Sequence, residues 1–251
     1  MMWHEYLLLL VIGFVTGIIN TMAGGGSVLT LPLLIFLGLP PNVANGTNRV
    51  AIFIQGLSTA AGFRSKSIKT FPFSIYFGIS AMLGAMIGAQ IAVDIKEEIF
   101  NRILAIVIIL VGFFLVFHKN RAKDFNLERL TGKYLWLSII AFFFIGIYGG
   151  FIQAGTGLIM LMVLSGINHY ALVKANAIKN LVTLVFNISA LSIFIFNDKV
   201  NWEYGLMLAV GTALGGWFTS RWSVNKGDGI VRIFMIIMII LMAVKLWFFN
   251  D

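Results

Sequence analysis

The sequence predicts an all-α polytopic membrane protein made of two inverted repeats, each with a Gly-rich helix break and a short helical segment. Three observations predict it. Of 251 residues, 59% are hydrophobic and 11% charged, with a mean hydropathy of +0.95, more apolar than a soluble core of this length requires. The apolar residues run in stretches long enough to cross a hydrocarbon layer. A pattern of glycines, asparagines and small residues also returns about halfway along the chain.

Residues 3–22, 43–62, 72–93, 98–118, 134–153, 171–196, 203–222 and 230–249 read as long helices. The first opens with His4 and Glu5 instead of a basic cluster and is followed by further spans, so it is expected to be retained and not cleaved as a signal peptide. Short apolar segments at 28–39 and 158–167 each follow a glycine cluster. Pro32 and the Pro40-Pro41 pair are expected to shape the first of these segments and its exit turn.

Ala23-Gly24-Gly25-Gly26 returns as Ala154-Gly155-Thr156-Gly157, and Ala44-Asn45 as Ala175-Asn176, both 131 residues on. Gly84, Gly88 and Ala89 return as Gly211, Gly215 and Gly216 after 127. The chain therefore divides into a first repeat at 1–118, a basic linker at 119–133 and a second repeat at 134–251.

The formal charge is +8. Its cations cluster in Arg64/Lys66/Lys69, in Lys119/Arg121/Lys123/Arg129/Lys133 and in Arg221/Lys226/Arg232. Short basic loops of this kind mark the cytoplasmic side, which explains the charge without nucleic acid. The acidic loops at Asp94/Glu97/Glu98 and Asp198/Glu203 then fall outside. Going from a cytoplasmic linker to an external 197–202 loop takes an odd number of crossings, so the two halves are inverted. Five crossings per half, or three with a re-entrant hairpin, satisfy the same parity.

Absences narrow the chemistry. The chain has no cysteine, which removes disulfides and thiolate chemistry, and its three histidines, His4, His118 and His169, fall near span ends. It has no P-loop or His-Glu metal motif, and hardly any acidic residue falls inside a span. We therefore expect no enzyme activity, no cofactor and no metal.

Interrupted helices at matching places in two inverted halves are the plan on which secondary transporters build a midplane substrate site. In the first break, Gly24, Gly25 and Gly26 precede Ser27; in the second, Gln153 precedes Gly155, Thr156 and Gly157. A helix starting after each break directs unpaired N–H groups and a positive dipole end into the membrane interior, where an anion is the fitting partner. The alternative for the glycines is close helix packing or a kink. Past the short segments come Asn45-Gly46-Thr47-Asn48-Arg49 and Lys174-Ala175-Asn176-Ala177-Ile178-Lys179-Asn180. A cation within a span is expensive and normally faces a cavity or a partner, so Arg49 and Lys179 are candidates for neutralising an anion. Snorkelling to the interface is the competing reading for Arg49 and the favoured one for Lys174. Gln55 and Asn187 either extend the polar lining or are buried amides bonded to neighbouring helices. The glycine pairs 84/88 and 211/215 read as packing faces, within or between chains, and Trp3, Trp202 and Trp247 as an interfacial belt.

Ala23-Gly24-Gly25-Gly26-Ser27, the run Leu-Thr-Leu-Pro-Leu-Leu at 29–34, Gly38-Leu39-Pro40-Pro41, Ala44-Asn45-Gly46-Thr47-Asn48-Arg49 and the small-residue helix at Gly84/Gly88 together resemble the sulfite exporter TauE/SafE family of membrane permeases. The resemblance covers nearly the whole chain. It implies transport of sulfite, an organosulfonate or a related sulfur oxyanion across a cell inner membrane, with Gly24, Gly25, Gly26, Ser27, Thr47 and Asn48 lining the path. The second half departs from the first where Ile178-Lys179 stand opposite Thr47-Asn48. The expected function is thus secondary transport of a small anion by a multi-pass membrane protein, export favoured. Uptake, a carboxylate cargo or a passive anion channel stand as alternatives, and a homo-oligomer is compatible with the packing faces.

Overall fold

The computed structural model describes residues 3–68, 70–117 and 128–223. These fold into α1 (Trp3–Met22), α2 (Ser27–Phe36), α3 (Pro41–Arg64), α4 (Phe73–Asp94), α5 (Glu97–Phe117), α6 (Lys133–Phe151), α7 (Thr156–Gly166) and α8 (Leu172–Phe196). A ninth helix, α9, covers 202–223. The expected span 230–249, most of the 119–133 linker, and Lys69, His118, Lys226, Arg232 and Trp247 lie outside the described residues.

Local sequence sets the boundaries. Pro41 opens α3 behind Pro40, where a missing N–H costs nothing. Gly24 and Gly155, at equivalent places in the two breaks, adopt φ of +78° and +74°, a left-handed turn that a residue with a Cβ resists. α2 and α7 have 10 and 11 residues, so each reaches roughly 15 Å, half a hydrocarbon core. By length and composition α1, α4, α6 and α8 are each able to cross a membrane. α3 is equally long, but Asn42, Asn45, Asn48, Arg49 and Gln55 make it polar, and all five are buried. Lipid is met instead by outward aliphatic and aromatic residues such as Leu7, Leu83, Ile109, Phe144, Val210 and Phe218.

The small-residue faces set which helices touch. A Cβ on Gly84 would lie 2.9 Å from Ile147 N, and one on Gly88 2.7 Å from Phe151 N; α4 and α6 thus run parallel with their backbones in contact. The packing is completed by Ala81 and Ala85, and by Phe77 stacked on Phe142 at 4.8 Å. α1 and α9 repeat this: Cβ atoms on Gly13 and Gly17 would meet Gly211 Cα at 3.2 Å and Gly216 N at 2.9 Å. Both glycine pairs thus pack within the chain. α3 and α8 run antiparallel, with Gly46 against Phe194, Arg49 bonded by Asn187 and Gly56 against Leu184.

These contacts carry a prediction. Gly88→Leu drives a side chain into the α6 backbone, an overpacking of about 1–3 kcal/mol, and is expected to lower the melting midpoint in detergent by roughly 2–12 °C. Gly166→Ala, with nothing within 4 Å of the new carbon, should leave it unchanged in the same assay.

Candidate functional site

The two breaks, remote in sequence, meet in space. A Cβ on Gly157 would lie 2.5 Å from Gly24 Cα and 2.9 Å from Gly24 O. The starts of α2 and α7 are therefore brought together where α1 and α6 end. Neither start has a side-chain cap, since Gly26 and Gly155 occupy the N-cap positions. Several of the N–H groups expected to be unpaired are taken locally, Val28 N by Gly25 O, Leu29 N by Gly26 O and Leu158 N by Gly155 O, while each start keeps the positive end of its dipole.

Beside this junction is a cavity lined by Asn20, Gly24, Ser27, Gln55, Gln153, Thr156, Gly157, Lys179, Asn180 and Thr183, with Ile52, Gly56 and Phe186 as its less polar wall. Water-sized groups have about 30 Å³ for their centres, where one water needs roughly 10–15 Å³. Two or three waters, or one small oxyanion, match that size. Ile52 and Thr183 each lie eleven residues into their helix, about 16 Å from its start, so the cavity is central along α3 and α8.

Hydrogen bonds hold most of the wall in place. Asn20 accepts from Gly26 N at 2.7 Å and donates to Gln55 Oε1 at 3.2 Å, tying the end of α1 to α2 and α3. Gln55 Nε2 donates to Gly17 O at 3.3 Å. Ser27 Oγ accepts from Asn48 Nδ2 at 3.2 Å, and Asn48 Oδ1 accepts from Thr30 at 2.7 Å. Thr156 Oγ1 donates to Gln153 O at 3.1 Å. Lys179, 1% exposed, donates to Asn20 O at 2.7 Å, Thr21 O at 3.0 Å and Asn176 Oδ1 at 2.7 Å. Gln153 is the exception: it is 4% exposed, and both its amide nitrogen and its amide oxygen lack a hydrogen-bond partner. A buried amide left unpaired is costly.

Of the residues singled out from sequence, Gly24, Ser27, Gln153, Thr156, Gly157 and Lys179 line the cavity. Gly25, Gly26 and Gly155 form the breaks without lining it, and Asn48 and Asn176 bond to lining residues from behind. Thr47 and Arg49 are not brought to it. Thr47 Oγ1 accepts from Asn201 N at 2.9 Å, toward the start of α9. Arg49 donates through Nη2 to Gly149 O and Gly150 O at the end of α6, over the Phe194 ring. The snorkelling alternative for Arg49 is corrected by its complete burial, because α8 and the end of α6 close over it. Gln55 lines the cavity while Asn187 is spent on Arg49 O. Lys174 pairs with Glu128 at 2.7 Å, both side chains about one-third exposed. Sequence reasoning did not single out Asn20 or Thr183, and took Asn180 only as the last residue of the polar run 174–180. Asn20 adjoins the first break, and Asn180 stands 131 residues after Arg49, which were the only signals available for them.

The sequence matches the family described as Sulfite exporter TauE/SafE over residues 9–246, and the chain belongs to that family. It is 28% identical over 239 residues to a probable membrane transporter protein of Haemophilus influenzae, covering 95% of this chain and 93% of the relative. It is 27% identical to the probable membrane transporter protein YfcA of Escherichia coli strain K12, covering 94% and 87%. With the probable membrane transporter protein YunE of Bacillus subtilis it shares 24%, covering 96% of each. No solved structure matches it. The protein is a multi-pass membrane transporter.

Proposed function

We propose that this member of the TauE/SafE family is a secondary carrier that holds one small sulfur oxyanion, sulfite or an organosulfonate, in the cavity where its two helix breaks meet. The unpaired Gln153 amide carries the reading, because it stands beside two uncapped helix starts and Lys179. The helix starts and the lysine favour negative charge, and no acidic residue is buried among the described residues to oppose it. The Gln153 amide and the Ser27 hydroxyl add neutral donors that fit several oxygens on one small ion. Export is the favoured direction, uptake the alternative.

The two-repeat organisation is part of the same proposal, with 1–118 and 134–251 as inverted halves that move relative to each other around the cavity. It is supported by the antiparallel run of α3 against α8, and by the reciprocal pairs α1 with α9 and α4 with α6. The chemistry is transport, with no catalytic role assigned to any residue.

Proteoliposome flux of labelled sulfite and organosulfonates tests it. Gln153→Leu is expected to keep the fold and raise the half-saturating concentration about tenfold or more, the scale of one or two hydrogen bonds to a charged ligand. Unchanged saturation would remove Gln153 from the site. Flux that never saturates would favour a channel, and a carboxylate outcompeting sulfite would replace the cargo.

A further inference from the structure

We propose that Arg49 and Lys179 are two latches that close the cavity from opposite faces of the membrane, an inference that rests on the carrier reading above. Each is fully buried, on the third helix of its half. Each reaches across to the C-terminal carbonyls of the broken helix of the other half. Arg49 donates from α3 to Gly149 O at 3.0 Å and Gly150 O at 2.5 Å, at the end of α6. Lys179 donates from α8 to Asn20 O at 2.7 Å and Thr21 O at 3.0 Å, at the end of α1. A helix C-terminus is the negative end of its dipole, and a cation there is stabilising. An asparagine completes each joint: Asn45 Nδ2 donates to Phe151 O at 2.8 Å, and Asn176 Oδ1 accepts from Lys179. The two asparagines stand 131 residues apart, while Lys179 falls one place short of the position that matches Arg49, so each half carries a similar joint built from different contacts.

The joints lie on opposite sides of the cavity. Arg49 is eight residues into α3 and Lys179 seven into α8, about 12 and 10 Å from the respective helix starts. Because α3 and α8 are antiparallel, those depths count from opposite faces, and the cavity at about 16 Å along each falls between them. The basic loop after Arg64 marks the end of α3 as cytoplasmic, which puts Arg49 in the outer half and Lys179 in the inner half. Both joints are made in this structure. Opening either face separates a helix end from the cation that holds it.

An anion is the natural competitor for each cation, since both now bond only to neutral acceptors. The two respond differently. Arg49 keeps Nε and Nη1 without a partner, so it can take an anion before releasing the end of α6. Lys179 has spent three donors and must give up a carbonyl first. Cargo thus loosens the latch it approaches, while the other stays shut.

The chain has no cysteine, so a single thiol reports access without background. Ile52→Cys places one on the apolar wall of the cavity, for labelling by a membrane-impermeant methanethiosulfonate added to one face of oriented vesicles. Arg49→Met is expected to speed labelling from the outer face about tenfold or more and leave the inner face slow; Lys179→Met should do the reverse. Arg49→Lys and Lys179→Arg, which keep a cation at the helix end, should restore slow labelling, a rescue that mere loss of packing would not show. Where a Met variant does not assemble, Arg49→Gln or Lys179→Gln makes the same comparison. Access from the same face in both variants, or no change in either, overturns the latches. Protection of the introduced thiol by a small organosulfonate, which unlike sulfite does not react with the methanethiosulfonate, separates the two ideas: opposite-face labelling that no organosulfonate slows keeps the latches and removes the anion site.

Discussion

Alanine in place of Gly157 is expected to lower transport about a hundredfold, the scale of a 1 Å displacement at a positioned site. The new Cβ would lie 2.5 Å from Gly24 Cα and 2.9 Å from Gly24 O, and both are backbone atoms that cannot rotate away. The two helix starts must therefore move apart, by about 1 Å to reach an ordinary carbon–carbon contact. Gly24→Ala should be at least as damaging, since it adds a φ of +78° to a 2.6 Å approach to Gly157 C. Gly25→Ala is the internal control: its nearest neighbour would be the Leu158 side chain at 3.7 Å, and flux should stay within about threefold of wild type. The three glycines are alike in sequence and unlike in contact. Equal tolerance at all three would show that the meeting of the breaks is irrelevant to transport.

Lys179→Met is expected to abolish measurable flux and to destabilise the protein as well. The substitution leaves Asn20 O, Thr21 O and Asn176 Oδ1 without the donor they now share, at about 1–3 kcal/mol for each buried acceptor left unsatisfied. It also removes the cation from the cavity lining, so the half-saturating anion concentration should rise in any protein that still assembles. Lys179→Arg keeps the charge but needs room for a planar fork, and should retain partial flux. The measurements are flux in proteoliposomes, equilibrium binding of labelled sulfite and melting in detergent. A Lys179→Met protein with normal affinity would leave the lysine as a helix cap alone.

Much of the fold was legible because hydrophobic length is a one-dimensional signal. The expected span 3–22 coincides with α1, and 171–196 differs from α8 by one residue. The breaks were legible too, since triple glycine and Gly-Thr-Gly are poor helix material at any depth. Three-dimensional pairing was harder to read. Gly84 and Gly88 announced a packing face, but their partners on α6 are backbone atoms of Phe143, Ile147 and Phe151, which leave no residue signature. The same limit applied to the cations. Arg49 and Lys179 read as groups in need of negative charge, and they found it in peptide carbonyls at the ends of α6 and α1. Carbonyls belong to every residue, so no pattern marks the ones that end a helix across the molecule. Gln153 was legible as part of the second break; that neither end of its amide has a partner emerges only from packing.

Equilibrium binding of radiolabelled sulfite to the purified chain in detergent tests the site most directly, since it needs neither a gradient nor a direction of transport. The site described above predicts saturable uptake of a single anion per chain, displaced by organosulfonates but not by uncharged analogues, weakened in Gln153→Leu and lost in Gly157→Ala. A folded wild-type protein that binds no small oxyanion, or one that binds equally well after Gly157→Ala, would contradict it.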